Sequence, residues 1–510
     1  MAGAAKSEAR ISQPVVEAVR LMRAHRGEPR GRRLIAPRAP GYSTSMLPRS
    51  TTLLAVLLTS ASVANGCGSD DASGGAGGAG ATGGTGATGG SGATGGSGAM
   101  GGAGGAGGTA DAKLLQESDL TYLGAFRVPQ EDFGSPQYSG FNFGGMALSY
   151  NPANNSLFLV GHNWYQLAAE ISIPALVNST VLDDLNTAAD LQPFADVTEG
   201  NRSNIGEGGT LVDTSGQPLG GFLVHGDVLV GTAFGYYDAG NVVRLSHFTS
   251  SLDLAATGDF QGMLAVGATP AIPNPAFIDG YMGDIPAQWQ AELGGPALTG
   301  NCCLSIISRT SLGPAVSVFD PAELGAVNPV PATPLVGYPI DHPTLGTYGD
   351  QGQDVLFNGS MGIHGVAFPQ GTRSVLFFGK RGTGTFCYGE GVSDPALDLT
   401  NCDPAYPEVL CCYDPANASK GGHAYPYVYL ALAYDALDLL AVKNGQKQPW
   451  EIIPYAEWQL QLPFAQEAAD ILGAAYDPAT QRIYLSQDGG DQPGCCGHLP
   501  VIHAYQVNAG

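Results

Sequence analysis

The chain has 510 residues, 75 of them Gly, and its 44% hydrophobic content against 13% charged residues is enough for a sizeable core. Ten basic and three acidic residues fall in positions 1–50, so the remainder holds 12 basic against 42 acidic residues, a net charge of −30. This balance excludes nucleic acid as a partner, because phosphate binding needs clustered Lys and Arg, and it suits solubility or a cation-rich surrounding.

Positions 46–67 read MLPRSTTLLAVLLTSASVANGC. Arg49 precedes a brief apolar stretch at 53–63, too short to span a bilayer and suited to a secretory signal. Its end, Ala64-Asn65-Gly66-Cys67, resembles the lipobox of bacterial lipoproteins. The resemblance implies a signal peptide over 46–66, a lipid on Cys67, and a membrane-anchored lipoprotein of the cell envelope, facing the periplasm or the cell exterior. Positions 1–45 are then an Arg-rich upstream extension, expected to be unstructured, with Met46 as the expected start.

Between 74 and 108, 20 of 35 residues are Gly and the rest are Ala, Thr, Ser and Met100. No side chain there buries enough area to offset the entropy of ordering, so 67–110 is expected to be a disordered, flexible tether. Its Gly-rich stretch would span about 30–35 Å, taking roughly 5–6 Å times the square root of its length.

From 111 to 510 short apolar runs alternate with Gly, Pro, Asn and Asp. Three segments are alike: 145–162, 365–382 and 473–490 each read as a strand opening on Gly, a Pro-containing turn and a second apolar strand. A second kind of strand recurs at 169–176, 242–254, 315–324, 430–439 and 501–507. Repetition of this kind predicts an all-β domain, a β-propeller. At roughly 40–50 residues per blade the length suggests seven blades, within a range of six to eight. Short helices are expected at 285–293 and 465–472.

Of nine cysteines, Cys67 is assigned to lipid, which leaves Cys302, Cys303, Cys387, Cys402, Cys411, Cys412, Cys495 and Cys496. An even number in an exported chain reads as disulfides. Adjacent cysteines seldom bridge each other, so each vicinal pair is expected to reach two separate partners, with 387–412 stapled as a local loop. A Zn²⁺ site at Cys495, Cys496 and His498 is the alternative. Asp488 and Asp491 offer oxygens for Ca²⁺, but an acidic turn is the expectation, and no cofactor is expected.

The chain lacks GxSxG, HExxH, Walker A and EF-hand motifs. Histidines are the better lead: His162, His225, His247, His364 and His423 occupy strand ends or loops that a propeller gathers at its channel. The runs FNFGGMALSYNPANNSLFLVGH and GYYDAGNVVRLSHF resemble those of the β-propeller polysaccharide lyases that cleave uronate-containing glycans such as ulvan. The likeness covers about the first third of the domain. It implies His162 and Tyr237 as base and acid and Arg244 as neutraliser of the uronate, with His247 a further catalytic candidate. Abstracting a proton beside a carboxylate needs such a set. Asn142 stands where that family brings another His. The expectation is a lipid-anchored, monomeric, extracytoplasmic propeller that binds an extracellular ligand, foremost a polysaccharide. The alternatives are a lyase acting by β-elimination and a redox or metal-dependent enzyme.

Overall fold

A computed structural model describes residues 109–130, 140–212, 217–267, 275–306, 309–342, 344–349, 356–468, 470–494 and 497–510. The upstream extension, signal segment, Cys67 and nearly all of the tether lie outside them, as do Cys495 and Cys496. The chain enters through β1 (Leu120–Arg127). Sheet I then runs β2 (Ser149–Asn151), β3 (Ser156–Val160), β4 (Ala168–Ser172) and β5 (Asp190–Ala195), each antiparallel to the next. Sheet II is β6 (Leu219–His225), β7 (Val228–Ala233), β8 (His247–Ser251) and β9 (Gln261–Leu264). Sheet III is β10 (Met282–Asp284), β11 (Ala297–Thr299), β12 (Val316–Phe319) and β13 (Ala332–Val336).

After a two-stranded pair, β14 (Asp341–His342) and β15 (Gly346–Thr347), sheet IV opens with β16 (Gly362–Ala367) and β17 (Ser374–Gly382). An insertion carrying β18 (Cys387–Val392), β19 (Leu410–Tyr413) and β20 (Lys420–His423) interrupts it. It resumes with β21 (Tyr427–Asp435) and β22 (Ala456–Leu460). Sheet V is β23 (Ile471–Asp477), β24 (Arg482–Asp491) and β25 (Leu499–Val507), and β1 pairs with β25 as its fourth strand. First and last strands therefore share one sheet, which ties the ends of the domain together.

The first strands of the sheets pack in the cyclic order β2, β6, β10, β16, β23 and back to β2. A channel of about 80 Å³ is lined by residues of all five. The inner strands, such as β3, β12 and β17, are buried on both faces, which explains why they read as apolar runs, whereas the outer strands β5, β9 and β22 are partly exposed. Along β3, Leu157 and Leu159 face sheet V while Phe158 and Val160 face sheet II. Along β17, Val375 and Phe377 join the core with sheet III, and Leu376 and Phe378 the core with sheet V. The period-two alternation of a strand thus feeds two cores at once.

This is an all-β, propeller-type fold with two α-helices among the described residues, α1 (Ala287–Leu293) and α2 (Ala436–Lys443). Neither is long and apolar enough to cross a membrane. The helix expected at 285–293 is α1, whose buried Trp289 packs on Phe368 and donates to the Thr372 carbonyl at 2.9 Å. No helix forms among the described residues of 465–472: there β23 begins at Ile471, because its apolar residues are taken up by the cores of sheet V. Seven blades were expected, and the described residues form five four-stranded sheets. The difference lies in the connections, since the insertion at 383–426 and the segment at 337–361 absorb length that the count assigned to further blades.

The cysteines divide. Cys387–Cys412 and Cys402–Cys411 staple the insertion locally, and the vicinal pair 411/412 reaches two partners as expected. Cys302 and Cys303, by contrast, bridge each other. This corrects the expectation for that pair. They lie on a loop where Cys303 adopts a positive φ of 65°.

Candidate functional site at the channel mouth

Strand direction decides which loops share an end of the propeller. The segments that lead into each first strand and those that join second to third strands emerge together, at the end called here the mouth. The mouth collects residues 140–148 and 161–167 of sheet I, 234–246 of sheet II, the insertion of sheet IV, and the described parts of 461–470 and 492–498 of sheet V.

Aromatic side chains left in solvent concentrate on these loops. Phe143, Trp164, Tyr165, Tyr236, Tyr237 and Tyr388 are all exposed, Trp164 most of all at 79%. His162 lies among three of them, with ring centroids 5.8 Å from Phe143, 5.8 Å from Trp164 and 5.1 Å from Tyr165. Phe143 in turn stacks on His498 at 4.9 Å. Close backbone approach holds this group: a side chain at Gly144 would meet the Gly161 carbonyl carbon and oxygen at 2.6 and 2.5 Å. Across the mouth Tyr388, carried by β18 of the disulfide-stapled insertion, lies near Tyr237 and Tyr236. Partial burial and then those hydroxyls push its own pKa up.

The floor is ionic. Lys380, at the end of β17, donates to Asp470 Oδ2 at 2.8 Å and sits 5.2 Å over the Tyr427 ring. Burial opposes its charge, but Asp470 foremost, with Asp488 and Asp414, holds its pKa above the ordinary lysine range. His364 Nε2 is 3.8 Å from Asp470 Oδ1. Although 43% of its side chain reaches water, the channel walls surround it, and desolvation lowers its pKa against the pull of Asp470. His498 Nε2 is hydrogen-bonded to Asp488 Oδ1 at 2.8 Å, a bond that raises its pKa. Beneath Lys380, Tyr427 donates to Asp414 Oδ2 at 2.6 Å and His423 Nδ1 meets the same oxygen at 2.8 Å. Burial pushes the Asp414 carboxyl up, and these two bonds bring it below its usual range. At the far end of the channel wall Asp284 is pushed up to about 6 by burial.

The predicted residues scatter over this plan. His162 is at the mouth, where its Nδ1 accepts from the Trp164 backbone N–H at 3.2 Å. That bond selects the tautomer with the proton on Nε2, the form of a donor. Tyr237 is exposed at the rim. Arg244 lines a second, larger cavity of about 930 Å³ beside sheet III, together with Tyr236, Phe277, Arg309, Tyr338 and Trp450. His247 is fully buried, with Ser246 Oγ on one ring nitrogen and Thr299 Oγ1 on the other, and burial lowers its pKa to about 3. It joins sheet II to sheet III and has no access to a substrate, which corrects its place among the catalytic candidates. His225 ends β6 at the opposite end of the channel, and His503 is buried between Tyr122 and Gln487.

Asp488 and Asp491 have protein partners: His498 for the first, and Arg127 at 2.8 Å for the second. Among the described residues no three His, Cys, Asp or Glu side chains group as a metal site. Sequence reasoning missed Lys380, Asp470 and the aromatic rim. Lys380 lies in GKRG and Asp470 in AADI, and neither context differs from an ordinary strand end. His498, read only as a possible metal ligand, donates its backbone N–H to Asn142 Oδ1 at 2.7 Å.

No protein-family model matches the chain, and no characterised protein matches its sequence. Among solved structures it is similar to a protein described under the GH130 family of mannoside phosphorylases, as a glycoside hydrolase targeting β-1,2 mannosidic linkages in Candida mannan. That likeness has 11% identity and a TM-score of 0.33, over 78% of this chain and 96% of that one. It is also similar to a putative oxidoreductase (glucose dehydrogenase) of Thermus thermophilus, with 10% identity and a TM-score of 0.31 over 72% of this chain and 98% of that one. At this level of similarity neither protein's chemistry carries over.

Proposed function

We propose that the protein binds a glycan chain across the channel mouth. One observation carries the reading: exposed aromatic rings crowd the loops around an opening whose floor is ionic and hydrogen-bonding. A sugar ring has an apolar C–H face and an edge of hydroxyls, so it asks for flat apolar surfaces beside a few directed polar groups. Exposed apolar surface gathered in one place marks an interaction site, whereas the same rings scattered singly would need no explanation. The β-elimination reading needs His162, Tyr237 and Arg244 around one carboxylate. Since Arg244 belongs to the wall of the side cavity, we rest the proposal on binding.

The test is electrophoresis of the purified protein through gels that contain soluble polysaccharides, neutral and uronate-bearing. At least one should retard it, and Trp164→Ala should reduce the retardation while Trp450→Ala in the side cavity leaves it. Free passage through the whole panel by folded protein would sink the reading. Unsaturated ends appearing in the ultraviolet during incubation would instead revive the lyase.

We further infer that the domain is held at a membrane by a lipid on Cys67 and the Gly-rich tether. The lipobox-like 46–67 and the composition of 74–108 support this. Radiolabelled palmitate should enter the chain in a bacterial host, and Cys67→Ser should abolish its uptake.

A further inference from the structure

At the floor of the mouth a buried carboxylate oxygen lacks a donor among the described residues. Asp470 is 9% exposed, and its Oδ2 is taken by Lys380. Its Oδ1 is buried and has no hydrogen-bond partner among the described residues. His364 Nε2, at 3.8 Å, is too far to supply one. A buried acceptor without a donor carries a desolvation cost of about 1–3 kcal/mol, more for an ion, and an instance of it calls for an explanation.

Charge sharpens the point. Lys380 is the ammonium of this floor, and Asp470, Asp488 and Asp414 all act on it. Asp488 also holds His498, and desolvation keeps the His364 imidazole toward its neutral form. A carboxylate arriving on a uronate would face the bare lone pairs of Asp470 Oδ1 with Lys380 already engaged. A hydroxyl arriving there would donate a hydrogen bond to an ionised acceptor, the stronger class of such bonds.

Resting on the glycan reading above, we propose that the unit seated at the channel mouth is a neutral sugar, one of whose hydroxyls donates to Asp470 Oδ1. Its ring face lies against the rim formed by Phe143, Trp164 and Tyr165, and the mouth selects against uronates. The Asp470–Lys380 pair acts as a hydrogen-bonding anchor, and the aromatic rim supplies affinity with little regard to which neutral sugar is bound.

The experiment measures affinity by calorimetry for dextran, galactomannan, alginate, polygalacturonate and chitosan, in salt high enough to screen the protein's overall negative charge. Wild type is compared with Asp470→Asn and Trp164→Ala, each first shown to be folded by its melting curve. The expected result is that a neutral glycan binds at least tenfold tighter than either uronate, and that Asp470→Asn loses about tenfold. Alginate or polygalacturonate binding as well as the neutral chains would overturn this inference and leave the glycan reading standing. So would a neutral glycan whose affinity ignores Asp470→Asn. Preference for chitosan would assign the donor to an ammonium and overturn the neutral-sugar claim. Should Asp470→Asn not fold, the ranking of neutral against uronate chains by wild type decides alone. No binding to any chain would overturn the glycan reading, and this inference with it.

Discussion

The channel mouth and the side cavity share the loop that carries Tyr236, yet they are built on opposite principles. The cavity is large, about 930 Å³, with walls that are mostly apolar. Two of its cations are paired within the protein, Arg309 with Asp238 at 2.8 Å and Lys447 with Asp438, while Arg244 donates to the Val243 carbonyl at 2.6 Å and the Asp279 carboxylate accepts from Asn301. The mouth, at the other end of the ring from the channel space of about 80 Å³ beside Asp284, keeps rings in solvent and, among the described residues, leaves one buried carboxylate oxygen without a donor. Volume alone would direct attention to the cavity. Unsatisfied chemistry directs it to the mouth, because a group whose partner is missing asks for a ligand and a paired group does not.

The comparison predicts that substitutions in the two regions act on different properties. The largest effect should come from the cavity wall. Asp238 is nearly buried and accepts from Arg309 as well as from the backbone N–H groups of Val242 and Val243. Asp238→Ala would leave the Arg309 guanidinium with Asn241 but no carboxylate and two N–H groups without their acceptor, at a cost of about 3 kcal/mol. Denaturant unfolding should register that loss, while the folded variant keeps wild-type glycan affinity. A variant that lost affinity and kept its stability would merge the two regions into one site.

Trp164→Ala should do the reverse. The side chain is 79% exposed, so stability should change by less than about 0.5 kcal/mol. Glycan affinity should fall by about tenfold, which corresponds to about 1.4 kcal/mol. Calorimetry and a thermal melt on the same sample separate the two.

Much of the frame could be read from the sequence, and the reason is geometric. The three similar segments at 145–162, 365–382 and 473–490 are the inner hairpins β2–β3, β16–β17 and β23–β24. The five runs of the second kind supply the third strands of the five sheets: β4, β8, β12, β21 and β25. Those strands announce themselves because both faces are buried. Counting them would have given five, whereas dividing length by blade size gave seven. The insertion at 383–426 has no such signature, since its small sheet depends on two disulfides rather than on a double-sided core. Closing the 25-residue separation of Cys387 and Cys412 stabilises by roughly 3 kcal/mol in the chain-entropy account. The site was less accessible to sequence reasoning. His162, Tyr237 and His364 reach the mouth, but a motif cannot distinguish His364 on the channel wall from His247 sealed between two sheets. Lys380 and Asp470 stand 90 positions apart in the chain, and only the packing of sheet IV against sheet V joins them.

A finer test concerns how the mouth holds its imidazoles. Gly489 has a φ of 58°, and a Cβ there would come within 2.4 Å of the His498 ring. Gly489→Ala would therefore both strain the backbone and push His498 away from Asp488, at about 1–2 kcal/mol. In the wild type the Asp488 bond raises the His498 pKa, so the pair's stabilisation is complete below the ordinary imidazole value and fades as pH rises through the raised one. His364 runs the other way. Desolvation lowers its pKa, so the unfolded chain takes up a proton that the channel resists, and stability falls as pH drops through the ordinary value toward the lowered one. Proton-resonance titration of the two rings should show them on opposite sides of about 6.5, the unperturbed value. Gly489→Ala should return His498 toward that value and leave His364 in place. A common shift of both rings would mean that they belong to one coupled network, and that the mouth's floor is a single titrating unit rather than two separate anchors.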